Sequence, residues 1–397
     1  MSMNKTPSAN RIHIGFFGRR NAGKSSVVNA VTGQELSVVS EVKGTTTDPV
    51  TKSMELLPLG PVLIIDTPGY DDEGSLGELR IRKTKQVLNK TDIAVLVVDA
   101  TAGMTDVDHE LVDIFKEKSL KYIVVYNKCD LIDVKTMIRL SAEENAVLVS
   151  ATDLKNIDQL KEKIALMVDK SEERKLVGDL VDKDDVVILV TPIDESAPKG
   201  RLILPQQQMI RDLLEHEVKT IVIRENLVQG TIDMLKDKPR MIITDSQAFG
   251  IVAKSTPRDI PLTSFSILMA RYKGFLETAY YGAKAIDTLE DNDRVLISEG
   301  CTHHRQCNDI GTVKLPGWLL GYTGKKLQYE FTSGGEFPED LSPYKAIIHC
   351  GGCMLNEREM MYRMKCAIDQ KIPFTNYGTV IALTQGILDR SVEIFNL

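Results

Sequence analysis

The stretch Ile12-His13-Ile14-Gly15-Phe16-Phe17-Gly18-Arg19-Arg20-Asn21-Ala22-Gly23-Lys24-Ser25-Ser26 decides how this chain is read. An apolar strand, Arg11 to Phe17, runs straight into a loop bounded by Gly18 and Gly23, and the SVVNAVTG behind it suits a helix closed by Gly33. Strand, loop and helix in that order make a phosphate-binding loop. Glycines let the backbone wrap anionic oxygens, and the helix N-terminus directs N–H groups and positive dipole at them. Lys24 neutralises phosphate charge and the Ser25 hydroxyl can ligate Mg²⁺, so Gly18, Asn21, Ala22, Gly23, Lys24, Ser25 and Ser26 are the expected phosphate contacts.

Outward from that loop, apolar runs at Val62 to Asp66, Ile93 to Asp99, Tyr122 to Tyr126 and Ala146 to Val149 alternate with helix-favouring segments. The rhythm implies an α/β domain with a mainly parallel sheet. Its strand ends carry polar groups in a telling order. Asp66-Thr67-Pro68-Gly69 closes the strand VLIID, where a carboxylate can hold Mg²⁺ through water while the Gly69 N–H faces the γ-phosphate. Asn127-Lys128-Cys129-Asp130 closes YIVVY, and the Asp130 carboxylate can accept the paired N1–H and N2–H donors of guanine, which adenine lacks. GTP is the expected nucleotide. Ser150 and Ala151 follow the strand AVLVS, with backbone N–H groups available to guanine O6.

Together GRRNAGKS, GTTT, DTPG, NKCD and SAT resemble the five G-motifs of a small GTPase domain over about residues 10 to 170. The NAGKSS form is similar to the potassium-stimulated branch typified by the tRNA-modification GTPase MnmE. That resemblance implies three roles. Thr46, with Thr45 and Thr47 as competitors, matches the switch threonine that ligates Mg²⁺; Asn21 matches the asparagine that helps ligate K⁺; and Glu78, twelve residues after Asp66, stands at the spacing of the water-positioning glutamate. Tyr70 occupies the place directly after DxxG where Ras-like enzymes carry their water-orienting Gln. Lys24, Asn21, Thr46 and Glu78 are thus the expected catalytic group.

Over the whole 397 residues, 43% are apolar and 26% charged, with a net charge of −7, so two or three globular domains are expected and no basic field favours nucleic acid. Apolar runs are too short to cross a bilayer and the start lacks a signal-peptide core, which predicts a cytoplasmic protein without a membrane or nucleic-acid partner. The charged run from Lys161 to Asp185 sets a boundary near 170. Beyond it an α/β rhythm resumes at Val186 to Val190, Thr220 to Ile223, Met241 to Thr244, Arg294 to Ser298, Leu327 to Phe331 and Ala346 to His349. Pro257 and Pro261 then precede a segment, Met269 to Leu289, that reads as the first helix of a third unit.

Of six cysteines, all but Cys129 fall between Cys301 and Cys366. In a reducing compartment such clustering points to metal or redox chemistry rather than disulfides. The strand VLISEG delivers Cys301, His303 and His304, and AIIHCGGC delivers His349, Cys350 and Cys353, both where a parallel strand gives way to a loop. Three soft thiolates suit zinc or an iron–sulfur centre, and spacing alone does not separate the two. CTHH and HCGGC, joined to the G-motifs, resemble the HydF family of GTPase and cluster-scaffold maturases of [FeFe]-hydrogenases along the whole chain.

The family resemblance implies a GTPase domain over 1–170, a dimerisation domain over 186–262 and an iron–sulfur domain over 263–397, with 171–185 as linker. It implies a [4Fe–4S] cluster on Cys301, Cys350 and Cys353, with His303, His349 and Cys307 as candidates for a fourth ligand or for supporting donors. It further implies a homodimer or larger assembly that receives a diiron precursor from radical-SAM maturases and delivers it to apo-[FeFe]-hydrogenase, using GTP, Mg²⁺ and K⁺. The competing reading is a GTPase of tRNA modification or ribosome assembly with a zinc-stabilised C-terminal domain, against which the acidic balance weighs.

Overall fold

A computed structural model describes residues 8–34, 49–67, 69, 84, 86–168, 175–193, 202–300 and 309–397. The chain forms two compact units, Met1–Ser171 and Glu172–Leu397.

The first unit is built on a six-stranded sheet in the order β2-β3-β1-β4-β5-β6. Its strands are β1 (Ile12–Phe17), β2 (Val50–Leu56), β3 (Gly60–Asp66), β4 (Ile93–Asp99), β5 (Lys121–Asn127) and β6 (Ala146–Leu148). Among the described residues every pairing in it is parallel except β2 with β3. Strand periodicity sends alternate side chains to opposite faces, so Ile93, Val95 and Val97 of β4 enter one core and Ala94, Leu96 and Val98 the other. A strand covered on both sides reads as a continuous apolar run, which is why IAVLVVD was legible. β2 is the opposite case. Its residues VTKSMEL are mostly exposed or half-buried at the sheet edge, and that polarity gives no strand signal.

The second unit holds two four-stranded, wholly parallel sheets. One runs β10-β9-β7-β8, from β7 (Val186–Val190), β8 (Lys219–Ile223), β9 (Met241–Thr244) and β10 (Leu262–Ser264). The other runs β12-β11-β13-β14, from β11 (Arg294–Glu299), β12 (Gln328–Ser333), β13 (Ala346–His349) and β14 (Phe374–Asn376). A single apolar core joins them: Ile188, Val190 and Ile242 of the first sheet belong to the same buried cluster as Val295, Ile297 and Ile347 of the second. The three-residue strands β10 and β14 are too short to carry a period and escape sequence reading.

One expectation is corrected. Met269 to Leu289 is two helices, Phe265–Tyr272 and Leu276–Lys284, because Gly274 takes a left-handed φ of 80° between them and stops the first. The helix begun by Pro205 is present as Leu204–Glu215; Met209 and Leu213 are buried in it and Leu214 is exposed. Among the described residues no helix is long and apolar enough to cross a membrane.

Candidate functional site

At the C-terminal edge of the first sheet the loop after β1 is held tightly. Gly18 has φ 142°, and a Cβ there would stand 2.3 Å from the Val97 carbonyl oxygen of β4; Gly23 has φ 84° and passes equally close to Asn127 Nδ2. Only glycine fits either place. The helix Lys24–Thr32 starts directly behind, and its first residues converge on β3: Lys24 Nζ lies 3.1 Å from Asp66 Oδ1, and Ser25 Oγ donates to Asp66 Oδ2 at 2.9 Å. One carboxylate thus holds both groups that phosphate and Mg²⁺ would engage. Gly69 abuts the same loop, since a Cβ on it would meet Arg20 N at 3.1 Å.

The NKCD segment braces that loop from the other side. Asn127 Nδ2 donates to the Ala22 carbonyl at 3.1 Å while its Oδ1 accepts from Ala151 N at 3.1 Å, tying the phosphate loop to the segment after β6. Lys128 Nζ donates to the Asn21 carbonyl at 3.1 Å and to Asp99 Oδ2 at 2.5 Å. Burial raises the Asp99 carboxyl, but the hydrogen bonds from Lys128 and Thr101 outweigh it and hold the group below its ordinary value. Asp130 is left exposed and Ser150 buried, as a base-reading acid and a backbone-presenting turn require. Thr46 and Glu78 lie outside the described residues.

In the second unit the parallel register of β11 and β13 pairs Ser298 with His349. Glu299 and Cys350 therefore follow side by side. Cys350 Sγ accepts from Gly300 N at 3.1 Å and from Gly352 N at 3.4 Å, and Gly300 is the residue directly before Cys301 in the chain. Gly352 can turn the loop because it adopts φ 61°. Cys350 and Cys353 are both free and half-buried; burial pushes the Cys350 thiol up to about 11 and raises Cys353 as well. Cys301, His303 and Cys307 lie outside the described residues. Among those described, no three His, Cys, Asp or Glu side chains stand together as a metal site.

Behind the loop, His349 is fully buried with both ring nitrogens engaged. Nδ1 lies 2.8 Å from the Cys350 carbonyl and Nε2 lies 3.0 Å from Arg363 NH1. Burial first and Arg363 second lower its pKa to about 3, so Nδ1–H donates and Nε2 accepts. These contacts aim both nitrogens at protein groups. Arg363, also fully buried, reaches Glu359 at 2.9 Å, Ser298 Oγ at 3.4 Å and the Gly334 carbonyl at 2.6 Å, so one guanidinium fastens β11, β13 and the turn after β12. Lys273, 3% exposed, donates to the carbonyls of Gly352 and Leu355, and burial lowers it to about 8.

Residues 176–274 match the hydrogen maturase F dimerization domain, and residues 277–394 match the hydrogen maturase F tetramerization domain. The chain belongs to the hydrogen maturase F (HydF) family. Residues 13–128 match the 50S ribosome-binding GTPase family, so this HydF chain carries a P-loop GTPase domain ahead of the two maturase segments. The chain is similar to GTPase Der of Wolinella succinogenes, 38% identical over 184 residues that cover 43% of this chain and 39% of the relative. It is also similar to the tRNA modification GTPase MnmE of Desulforamulus reducens, 33% identical over 157 residues covering 39% and 32% of the two chains. The chain thus spans about two fifths or less of the length of these curated relatives. Among solved structures, Era of Aquifex aeolicus aligns over 53% of this chain and 93% of its own, at 20% identity and a TM-score of 0.36.

Sequence reasoning missed Asp99, Arg363, Glu359 and Lys273. Asp99 ends the strand IAVLVVD, and a charge there signals a strand-end contact. The other three sit in helical segments whose spacing carries no mark of what they touch.

Proposed function

We propose that this HydF chain is a GTP-hydrolysing, potassium-stimulated scaffold of [FeFe]-hydrogenase maturation. It binds a [4Fe–4S] cluster on Cys301, Cys350 and Cys353 and passes a diiron precursor, received from radical-SAM maturases, to apo-[FeFe]-hydrogenase in the cytoplasm. Residues 1–170 hydrolyse GTP, 186–262 build the dimer interface and 263–397 hold the cluster, in a homodimer or larger assembly. Asn21 assists K⁺, while Ser25, Thr46 and Asp66 hold Mg²⁺ and Glu78 orients water.

The observation that carries the reading is the sulfur of Cys350 accepting two backbone N–H groups, one from the residue that precedes Cys301. Amides directed at sulfur stabilise a thiolate and tune a bound iron centre, which a merely packed cysteine does not need. Cys350 and Cys353 are both free and half-buried, so the donors fit a thiolate-held cluster. Such a cluster would supply an iron to which cargo attaches; the chain's part is to present the thiolates, orient them through Gly300 and Gly352, and keep His349 fixed behind them.

Anaerobic reconstitution followed by iron, sulfide and zinc analysis and electron-spin resonance tests the assignment. Cys301→Ala, Cys350→Ala and Cys353→Ala each lose the cluster, and Cys366→Ala keeps it. Stoichiometric zinc without sulfide, or cluster retained in all three variants, overturns it. Turnover of GTP with K⁺ and with Na⁺ tests potassium stimulation.

A further inference from the structure

The helix Phe265–Tyr272 and the residue that closes it bring two polar side chains to the Cys350–Leu355 loop. At its far end the Lys273 ammonium is buried, donates to the Gly352 and Leu355 carbonyls, and forms no ion pair among the described residues. Near its start the Ser266 hydroxyl is buried with no hydrogen-bond partner among the described residues, between Gly378 and Gly351: a Cβ would stand 2.7 Å from it on the former and 3.6 Å on the latter. Both features carry a cost. An ammonium taken from water without a counter-ion loses hydration that carbonyl dipoles only partly return, and a buried hydroxyl without a partner forfeits the bond it made to water. The same loop lies against both, since Lys273 holds its Gly352 and Leu355 carbonyls and Ser266 stands beside Gly351.

We propose that Lys273 is the fixed counter-charge, and Ser266 a hydrogen-bond donor, for the anionic thiolate-ligated group held by the Cys350–Cys353 loop. This rests on the cluster reading above. Three thiolates leave a [4Fe–4S] centre with net negative charge that grows by one on reduction, so a neighbouring cation favours the reduced form. Lys273 is in this sense a positioning and electrostatic residue that sets the midpoint potential rather than a ligand.

The test is a redox titration of the reconstituted full chain, read by electron-spin resonance. Lys273→Met shifts the one-electron equilibrium about tenfold toward the oxidised form, a fall of about 59 mV. Lys273→Arg, which keeps the charge, stays within about threefold of wild type, and Ser266→Ala moves in the same direction as Lys273→Met by a smaller step. Equal potentials in wild type and Lys273→Met overturn the proposal, as does Lys273→Arg falling as far as Lys273→Met, the result of a purely structural role. Should Lys273→Met fail to fold, the other two variants decide: a retained potential in Lys273→Arg with a lowered one in Ser266→Ala supports it, and an unmoved Ser266→Ala refutes it. A wild-type chain that takes up no iron and sulfide overturns the cluster reading and this inference together, before any variant is compared.

Discussion

The two sites treat positive charge in opposite ways. Around the nucleotide loop each lysine has a carboxylate partner: the largely buried Lys24 pairs with Asp66, and the part-exposed Lys128 with Asp99. Around the cysteine loop the cations lie inside, and most of what they touch is uncharged. Arg363 reaches one carboxylate, a carbonyl, a hydroxyl and a neutral imidazole, and Lys273 reaches two carbonyls. A cation already paired with a carboxylate can trade that partner for a phosphate without its charge ever being stranded. A buried cation cannot be exchanged, so it holds its surroundings in one arrangement. The first site is built to be entered and left, the second to stay put.

Four variants can break or sharpen that contrast. Lys24→Ala removes a charge aimed at the reacting phosphate and lowers GTP turnover about a hundredfold or more, measured as phosphate release, with the folded state intact. A turnover within a few-fold of wild type would mean that Lys24 belongs to Asp66 alone. Arg363→Met strands Glu359 and costs about 3–5 kcal/mol in urea unfolding of the full chain, whereas Arg363→Met with Glu359→Leu loses less because no charge remains unpaired. If the single variant unfolds no more easily than the double, the buried network is not what holds the strand ends.

Gly352→Ala is milder. The residue sits at φ 61°, and an added Cβ would stand 2.5 Å from the Met360 sulfur, so about 1–3 kcal/mol is lost and the loop beside Cys350 shifts. Smallest of all is Asp99→Asn, worth less than about 1 kcal/mol because the pair is part-exposed. Its sign is set by pH. Asp99 is held below its ordinary value in the folded chain, so its contribution is present above the carboxylate range and fades as pH falls through it; stability measured against pH should lose that small acid-side slope in the asparagine variant.

The contrast also explains what could be read in advance. The nucleotide site is local in sequence at each point: Gly18 to Ser26, Asp66 to Gly69 and Asn127 to Asp130 each follow a fully covered strand, and a few neighbouring residues specify the turn. The sheet that carries them was legible for the same reason, apart from its polar edge strand β2. In the second unit the thiols Cys350 and Cys353 announced themselves through HCGGC, but their supports did not. Arg363 meets Ser298 across 65 residues and Lys273 meets Gly352 across 79, and such pairings exist only once the helices have packed against the sheet and its loop. Lysine and arginine on a helix read as solvated faces, and nothing nearby in the chain says otherwise.

The two maturase segments are named separately, yet Ile188, Val190 and Ile242 from one share a core with Val295, Ile297 and Ile347 from the other. A scissor cut between residues 274 and 277 would expose oily surface on both halves. Neither half can therefore be shuffled into a new host as a free-standing cassette, and engineering or evolution that borrows the cysteine loop must carry the neighbouring sheet with it.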